Sequence, residues 1–190
     1  MIERITNLGD AALLLPASLL LFLHLLWRDD AKRAFAFALA TGACLTITVA
    51  LKLVFLIWRI DIFGYSVHSP SGHTSFSTTF YGCCAALASS GAAPWRQKIV
   101  RLLVGALILA VALSRVAVNA HSLSEVAIGL VIGFACVALF VSLPKRPQVS
   151  AGLLQIAVCV AVMAIALNGR HLTLEPLLHR LANRLIAEVR

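Results

Sequence analysis

Long apolar runs constrain this chain more than any other feature. The sequence has 190 residues, a mean hydropathy of +0.94 and only 13% charged residues, so its polar side chains are too few to cover those runs in water. A helix needs about 20 residues to cross the hydrocarbon core of a bilayer. We therefore predict an all-α membrane protein, a single domain over residues 1–190, whose six transmembrane helices form one bundle. The six segments are 9–27, 34–57, 73–92, 99–118, 123–143 and 151–168.

Both ends of the chain carry further signals. The first apolar run lacks the basic start and small-residue exit of a cleavable signal peptide, so we expect it to remain as a span. Between His171 and Val189, leucines recur at helical spacing while arginines take the other positions. This pattern predicts a C-terminal amphipathic helix over residues 171–190 that lies on the bilayer. A helix that binds a protein partner is the alternative.

The positions of the basic residues predict the orientation of the spans. Lysine and arginine in short loops mark the cytoplasmic side of a membrane. Eight of the sixteen basic residues follow the first, third and fifth spans: Arg28, Lys32, Arg33, Arg96, Lys98, Arg101, Lys145 and Arg146. We therefore expect both termini and the other loops to lie outside, although four arginines in the C-terminal tail weaken this prediction. Basic clusters at span ends account for the net charge of +8 without nucleic-acid binding.

The cysteines indicate neither a metal site nor a disulfide framework. All five lie inside apolar runs and lack the paired spacing of metal ligands. We interpret them as small residues in the core or facing lipid. They are Cys44, Cys83, Cys84, Cys136 and Cys159.

A polar turn, Ser69-Pro70-Ser71-Gly72-His73, separates the second and third apolar runs. Proline and glycine favour a tight bend, and glycine allows the backbone to approach a ligand closely. Ser71, the Gly72 amide and the ring of His73 then become available at one point, as an anion cradle with a proton donor beside it. An ordinary interhelical turn with a solvated histidine is the alternative.

A second polar cluster lies at the end of the second run. Lys52 and Arg59 are seven residues apart, two helical turns, so both can project from the same face. A lysine within a span is costly and is usually functional. Snorkelling of Lys52 to the interface is the alternative.

The third cluster joins the fourth and fifth spans. Ser114-Arg115 is followed after five residues by His121, and Glu125 comes one helical turn later. The carboxylate can accept a hydrogen bond from one imidazole nitrogen and make the other more nucleophilic. Glu125 could instead only complement the helix dipole. A helix N-terminus at this point also favours bound phosphate.

Together the three clusters resemble the type 2 phosphatidic acid phosphatase family. That family's segments are Lys-x6-Arg-Pro, Pro-Ser-Gly-His and Ser-Arg-x5-His-x3-Asp, and their order and spacing match this chain across residues 52–125. Two positions depart from the pattern. Ile60 replaces a proline, and Glu125 replaces the aspartate that orients the nucleophilic histidine, which makes a slow or specialised enzyme conceivable.

The resemblance implies a phosphohistidine mechanism that needs no cofactor and no metal. His121 would attack phosphorus while Glu125 holds its tautomer, and His73 would protonate the leaving oxygen and later activate water. The phosphoryl oxygens would be bound by Lys52, Arg59, Ser71, Gly72 and Arg115. Three cations around one anion supply the positioning and charge stabilisation that phosphoryl transfer mainly requires.

The predicted function is therefore hydrolysis of a lipid phosphate or diphosphate in a bacterial inner membrane, with the active site facing the periplasm. The resemblance makes undecaprenyl diphosphate, phosphatidylglycerol phosphate and lipid A phosphates plausible substrates, with the first slightly favoured. A lipid phosphotransferase is the alternative within the same chemistry. A non-catalytic lipid-phosphate binder or transporter is a rival of another class, encouraged only by Glu125. The sequence does not predict the oligomeric state.

Overall fold

The computed structural model describes residues 2–28, 30–58, 61–62, 65–66 and 69–143. These residues are helical apart from turns and one antiparallel pair of two-residue strands. The helices are α1 (Ile2–Asn7), α2 (Ala11–Trp27), α3 (Ala31–Trp58), α4 (Gly72–Ser89), α5 (Pro94–Ala117) and α6 (Leu123–Ser142). The strands β1 (Asp61–Ile62) and β2 (Tyr65–Ser66) lie between α3 and α4.

Four of these helical regions are long and apolar enough to cross a bilayer: Ile2–Trp27, Ala31–Ile57, Pro94–Ala117 and Leu123–Ser142. The chain is therefore a membrane protein. The predicted third span is helical as α4 and is long enough at 18 residues, but it is less apolar than the four others, because serines and threonines fill its first two turns. The predicted sixth span and the amphipathic tail lie outside the described residues, so the count of six remains a prediction.

The first predicted span, 9–27, begins two residues later, as α2. A short helix, α1, comes first, and a turn at Leu8 and Gly9 separates it from α2. Asp10 ends this turn as the N-cap of α2, since its Oδ1 accepts a hydrogen bond from the N–H of Ala12 at 2.8 Å. An aspartate at this position satisfies a backbone donor that the first helical turn leaves open. This cap sets the first residue of α2, and the short helix α1 before it was not predicted.

The boundaries of the other spans shift for similar local reasons. The fourth predicted span, 99–118, begins five residues earlier as α5 because Pro94 occupies the first helical position, where a missing N–H costs nothing. The second predicted span, 34–57, lengthens to α3. Asp30, directly before α3, pairs with Arg33 in its first turn, with 3.3 Å between Oδ2 and Nε. The fifth, 123–143, is one residue shorter as α6.

Helix α4 lies at the centre of the bundle and packs against α3, α5 and α6. Its close approach to α6 depends on Gly129 and Gly133, four residues apart. A Cβ built on Gly133 would lie 2.5 Å from Thr78 Cβ, and one built on Gly129 would lie 2.8 Å from the Ser71 carbonyl oxygen. Small residues spaced in this way let helix backbones meet closely in membrane proteins. This contact brings the start of α4 beside the start of α6.

The apolar core lies along α2, α3 and α4. Phe37 packs edge-to-face against Phe80 and Phe140, with ring centroids 6.3 and 6.4 Å apart, a geometry that aromatic pairs prefer. The four described cysteines are buried free thiols, which agrees with their interpretation as core residues, and Cys159 lies outside the described residues. Since α2, α4 and α6 begin where α3 and α5 end, the three polar clusters are expected at one edge of the bundle.

Candidate active site

The turn between α5 and α6 sets the spacing from Arg115 to His121. Asn119 has a left-handed φ of 54°, a conformation that asparagine tolerates better than most residues. The N–H of Asn119 bonds to the Val116 carbonyl at 2.9 Å and that of Ala120 to the Arg115 carbonyl at 3.0 Å, which is a Schellman motif. The N–H of His121 reaches the same Arg115 carbonyl at 3.2 Å. Backbone bonds thus hold His121 next to Arg115.

His121 and Glu125 make the contact that their spacing suggested. Nδ1 of His121 lies 2.8 Å from Oε2 of Glu125, and both side chains are less than a tenth exposed. The same Oε2 accepts the N–H of Ser122 at 3.1 Å, while Ser122 Oγ accepts the N–H of Glu125 at 3.3 Å. This reciprocal pair is a capping box at the start of α6. Glu125 therefore both begins a helix and orients an imidazole.

The second carboxylate oxygen of Glu125 connects two of the three clusters. Oε1 accepts the N–H of Ser69 at 3.0 Å, and the Glu125 carbonyl accepts the N–H of Ser71 at 3.1 Å. The turn that leads to His73 is therefore bonded directly to the residue that orients His121. The spacing of the motifs predicted proximity, but it did not predict these bonds.

Ser71 and Gly72 begin α4. Ser71 is fully buried and is the N-cap, because its Oγ accepts the N–H of Thr74 at 3.4 Å and the Thr74 hydroxyl at 2.9 Å. Both bonds use Ser71 Oγ as the acceptor, so its own proton can still be donated to an anion. The amides of the first helical turn after Ser71 form the kind of positive helix start that binds phosphate.

The cations lie on α3 and α5. Lys52 is buried, with 9% of its surface exposed, and a Cβ built on Gly72 would lie 3.9 Å from its Cε. Its side chain therefore packs inside the bundle next to the polar turn, as a residue pointing towards the site would. Lys52 and Arg115 both act electrostatically on His73 and on His121. Arg59 and Ile60 lie outside the described residues.

The environment of His121 favours its neutral form. Burial lowers the pKa of His121 below its ordinary value, and Lys52 and Arg115 lower it further, whereas the hydrogen bond and charge of Glu125 act in the opposite direction. With Nδ1 facing a carboxylate, the neutral ring carries its proton on Nδ1 and keeps a lone pair on Nε2. The other ring nitrogen is thus free to act as a nucleophile.

One residue close to the polar cluster was absent from the sequence-based prediction. Oδ2 of Asp10 lies 3.8 Å from Nε2 of His73, and the Asp10 side chain is 6% exposed. The available signal was its position, because an acid at the start of the first apolar run falls on the same membrane edge as the three clusters. Asp10 and His73 are 63 positions apart, so local spacing could not reveal the contact.

The structure thus brings together seven of the eight predicted site residues, and Arg59 is the eighth. Among the described parts of the chain, no group of three or more histidine, cysteine, aspartate or glutamate side chains could hold a metal ion. The arrangement combines an oriented imidazole, a second histidine, two cations and the start of a helix. It is suited to binding a phosphoryl group and transferring it to a nitrogen nucleophile.

Residues 14–148 match the PAP2 superfamily. The chain is also similar to a protein of Klebsiella pneumoniae described as an "Uncharacterized 22.5 kDa protein in cps region". The two are 34% identical over 145 residues, which cover 76% of this chain and 69% of that protein. No solved structure matches the chain.

Proposed function

The chain belongs to the PAP2 superfamily, whose members are phosphatases, and from this we propose that it is a membrane lipid phosphatase acting through a phosphohistidine intermediate. Membership in the family indicates a phosphatase for phosphate esters. The covalent intermediate and the lipid substrate are the parts that we add. The bond between His121 Nδ1 and Glu125 Oε2, at 2.8 Å, is the observation that supports the covalent intermediate most.

In the proposed first half-reaction, His121 attacks phosphorus with the lone pair of Nε2. The bond between phosphorus and the leaving oxygen breaks, and protonated His73 gives its proton to that oxygen. The hydrogen bond to Glu125 holds the proton of His121 on Nδ1 and stabilises the positive charge that develops on the ring.

In the second half-reaction, His73 is neutral and accepts a proton from water while the water oxygen attacks phosphorus. The bond between phosphorus and His121 Nε2 breaks, and its electron pair returns to the nitrogen. Phosphate leaves, and His73 is again protonated for the next cycle.

The phosphoryl oxygens would be bound by the cations Lys52, Arg59 and Arg115, by Ser71 and by the Gly72 amide. These groups supply the charge stabilisation that phosphoryl transfer requires, in a site that packing has already organised. We therefore propose that the reaction proceeds without a metal ion or another cofactor.

The location of the candidate active site at one edge of an apolar helix bundle supports a lipid substrate. The phosphate of a lipid lies at that depth while the lipid tail stays in the bilayer. The family resemblance makes undecaprenyl diphosphate the slight favourite over phosphatidylglycerol phosphate and lipid A phosphates. The basic loops at the opposite edge support an active site facing the periplasm of a bacterial inner membrane. A phosphotransferase would use the same first half-reaction and a different acceptor.

The test is phosphate release from a panel of these lipids by the purified protein in detergent with EDTA present. We expect turnover by the wild type, no turnover by His121→Ala, and wild-type turnover by His24→Ala. His24 lies in the last turn of α2, at the opposite edge, so it controls for loss of a histidine ring. Tight binding of the lipids without phosphate release would instead identify a non-catalytic binder. Activity that EDTA abolishes and a divalent metal restores would contradict the metal-free mechanism.

A further inference from the structure

The turn before α2 contributes a buried carboxylate next to His73. Asp10 is 4% exposed as a residue, and its Oδ2 lies 3.8 Å from Nε2 of His73. This distance is too long for a direct hydrogen bond, yet it is well within the range at which opposite charges interact in a partly buried site. No motif of the sequence includes Asp10, and neither half-reaction described above uses it.

Contacts of α1 and of the turn hold this segment against the bundle. Tyr81 donates its hydroxyl proton to the Leu8 carbonyl at 2.8 Å, and Thr6 donates to Ser114 Oγ at 2.6 Å. A Cβ built on Gly9 would lie 2.7 Å from Val111 Cγ1 and 3.3 Å from the His73 carbonyl oxygen. The N-cap bond from Ala12 to Asp10 Oδ1 holds the carboxylate itself.

Because one oxygen of Asp10 is committed to the helix cap, the other oxygen is the one directed at His73. Because a carboxylate held in this way is already ordered, it can orient a catalytic side chain without a further loss of conformational entropy at each turnover.

The charges around His73 come from every helix that packs against the start of α4. Lys52 on α3 and Arg115 on α5 are cationic, His121 precedes α6, and Asp10 before α2 is the carboxylate among the groups that act on His73. A negative charge nearby stabilises a protonated imidazole, and positive charges destabilise it. A general acid must carry its proton when the substrate arrives. In this site burial, together with the cations that bind phosphate, opposes that requirement and lowers the pKa of His73 to about 4, and Asp10 acts in the opposite direction.

We propose that Asp10 is the positioning residue of His73, which favours the protonated imidazole and orients it towards the leaving oxygen. This inference rests on the proposed function, since it assigns a role within the same site. It extends the active site to the segment before α2, which lies outside the three motif segments. Asp10 acts through His73 and does not itself contact phosphorus.

The test compares two aryl phosphates that differ in how much they need an acid. Phenyl phosphate has a poor leaving group that requires protonation, whereas 4-nitrophenyl phosphate leaves as a stabilised anion. We choose kcat/KM, because it reports the steps up to formation of the phosphoenzyme. The variant is Asp10→Asn, since asparagine is as good an N-cap as aspartate and lacks the charge. Asp10→Ser, which also caps, is the second variant should the first fail to fold.

The matched control is Asp30→Asn. Asp30 also lies at the start of a helix, where its Oδ1 accepts the N–H of Arg33 at 3.3 Å, and α3 starts at the opposite edge from the site. The control thus removes one aspartate charge from a helix start without approaching His73.

We expect Asp10→Asn to lower kcat/KM for phenyl phosphate about 10- to 100-fold and for 4-nitrophenyl phosphate less than about threefold, because a general acid contributes about 10²–10⁴-fold where it is needed. The alkaline limb of the phenyl phosphate profile should move to lower pH, and Asp30→Asn should leave both rates unchanged. Equal losses on the two esters, or no loss, would overturn the proposal while leaving the phosphatase intact. Wild-type protein that hydrolyses neither these esters nor lipid phosphates would overturn the proposed function, and this proposal with it.

Discussion

The N–H of Ser69 donates to Glu125 Oε1 at 3.0 Å, so the residue that orients His121 also holds the turn that leads to His73. The other oxygen, Oε2, faces His121 Nδ1 and the N–H of Ser122. The described groups at the carboxylate are thus two backbone N–H donors and the imidazole of His121. Glu125 therefore joins the nucleophile to the segment of the general acid, and the longer side chain is able to reach both.

We predict that Glu125→Gln loses about 10² to 10⁴-fold in rate, which corresponds to about 3 to 5 kcal/mol. The amide has one oxygen, so if it accepts from Ser69, its NH₂ group faces His121 and Ser122. His121 then takes its proton on Nε2, the wrong tautomer for attack. Initial rates of phosphate release provide the measurement, with lipid affinity expected to stay near the wild-type value.

Glu125→Asp is the matched variant, because it keeps the charge and introduces the residue of the family pattern. We expect it to keep substantial activity, with weaker restraint on Ser69. Equal high rates for the wild type, Glu125→Gln and Glu125→Asp would show that Glu125 only starts a helix. Equal near-zero rates with tight lipid binding would favour the non-catalytic binder.

The acid limb of kcat/KM should move to lower pH in Glu125→Gln. His121 must be neutral to attack, so the rate falls as pH drops through the pKa of its ring. Burial lowers the pKa of His121 and Glu125 partly raises it again, so loss of the carboxylate lowers that pKa further. Ionisation of the substrate phosphate, near pH 6, is common to both proteins and cancels in the comparison. An acid limb that stays at the same pH or moves to higher pH in Glu125→Gln would contradict this charge coupling.

Gly133→Ala should destabilise the bundle, because its new methyl would lie 2.5 Å from Thr78 Cβ and 2.8 Å from the Ser75 carbonyl. Overpacking of this kind costs about 1–3 kcal/mol, and separating α6 from α4 also disturbs the Glu125 contacts. The control is Gly105→Ala in α5, where no atom lies within 4 Å of the new Cβ and alanine favours the helix. Thermal unfolding in detergent should show a lower midpoint temperature than the wild type for Gly133→Ala but not for Gly105→Ala.

An impermeant thiol reagent should label Ala120→Cys but not Ala93→Cys in intact cells. Both variants are made in a background without the five native cysteines. Ala120 and Ala93 are exposed and lie at opposite edges, after α5 and before it. The basic residues near Ala93 predict that its edge is cytoplasmic. Labelling of Ala93→Cys alone would place the site in the cytoplasm.

The sequence predicted the shared edge of the site because alternating spans return every second loop to the same side. It also predicted the contact of His121 with Glu125 from their spacing of one turn at the start of a helix. It could not predict the bond of Ser69 to Glu125, which depends on how a turn folds against a distant helix. Asp10 was missed for the same reason.

The central claim is that His121 becomes covalently phosphorylated. The most direct measurement is rapid quenching of the protein with a phosphate-labelled lipid substrate, followed by mapping of the labelled peptide. The account predicts an acid-labile phosphate on His121 in the wild type and none in His121→Ala. With a substrate that has a good leaving group, His73→Ala should accumulate more of this phosphate, because the variant hydrolyses the phosphohistidine more slowly. Turnover by a folded His121→Ala protein at the wild-type rate, or label on another residue, would contradict it.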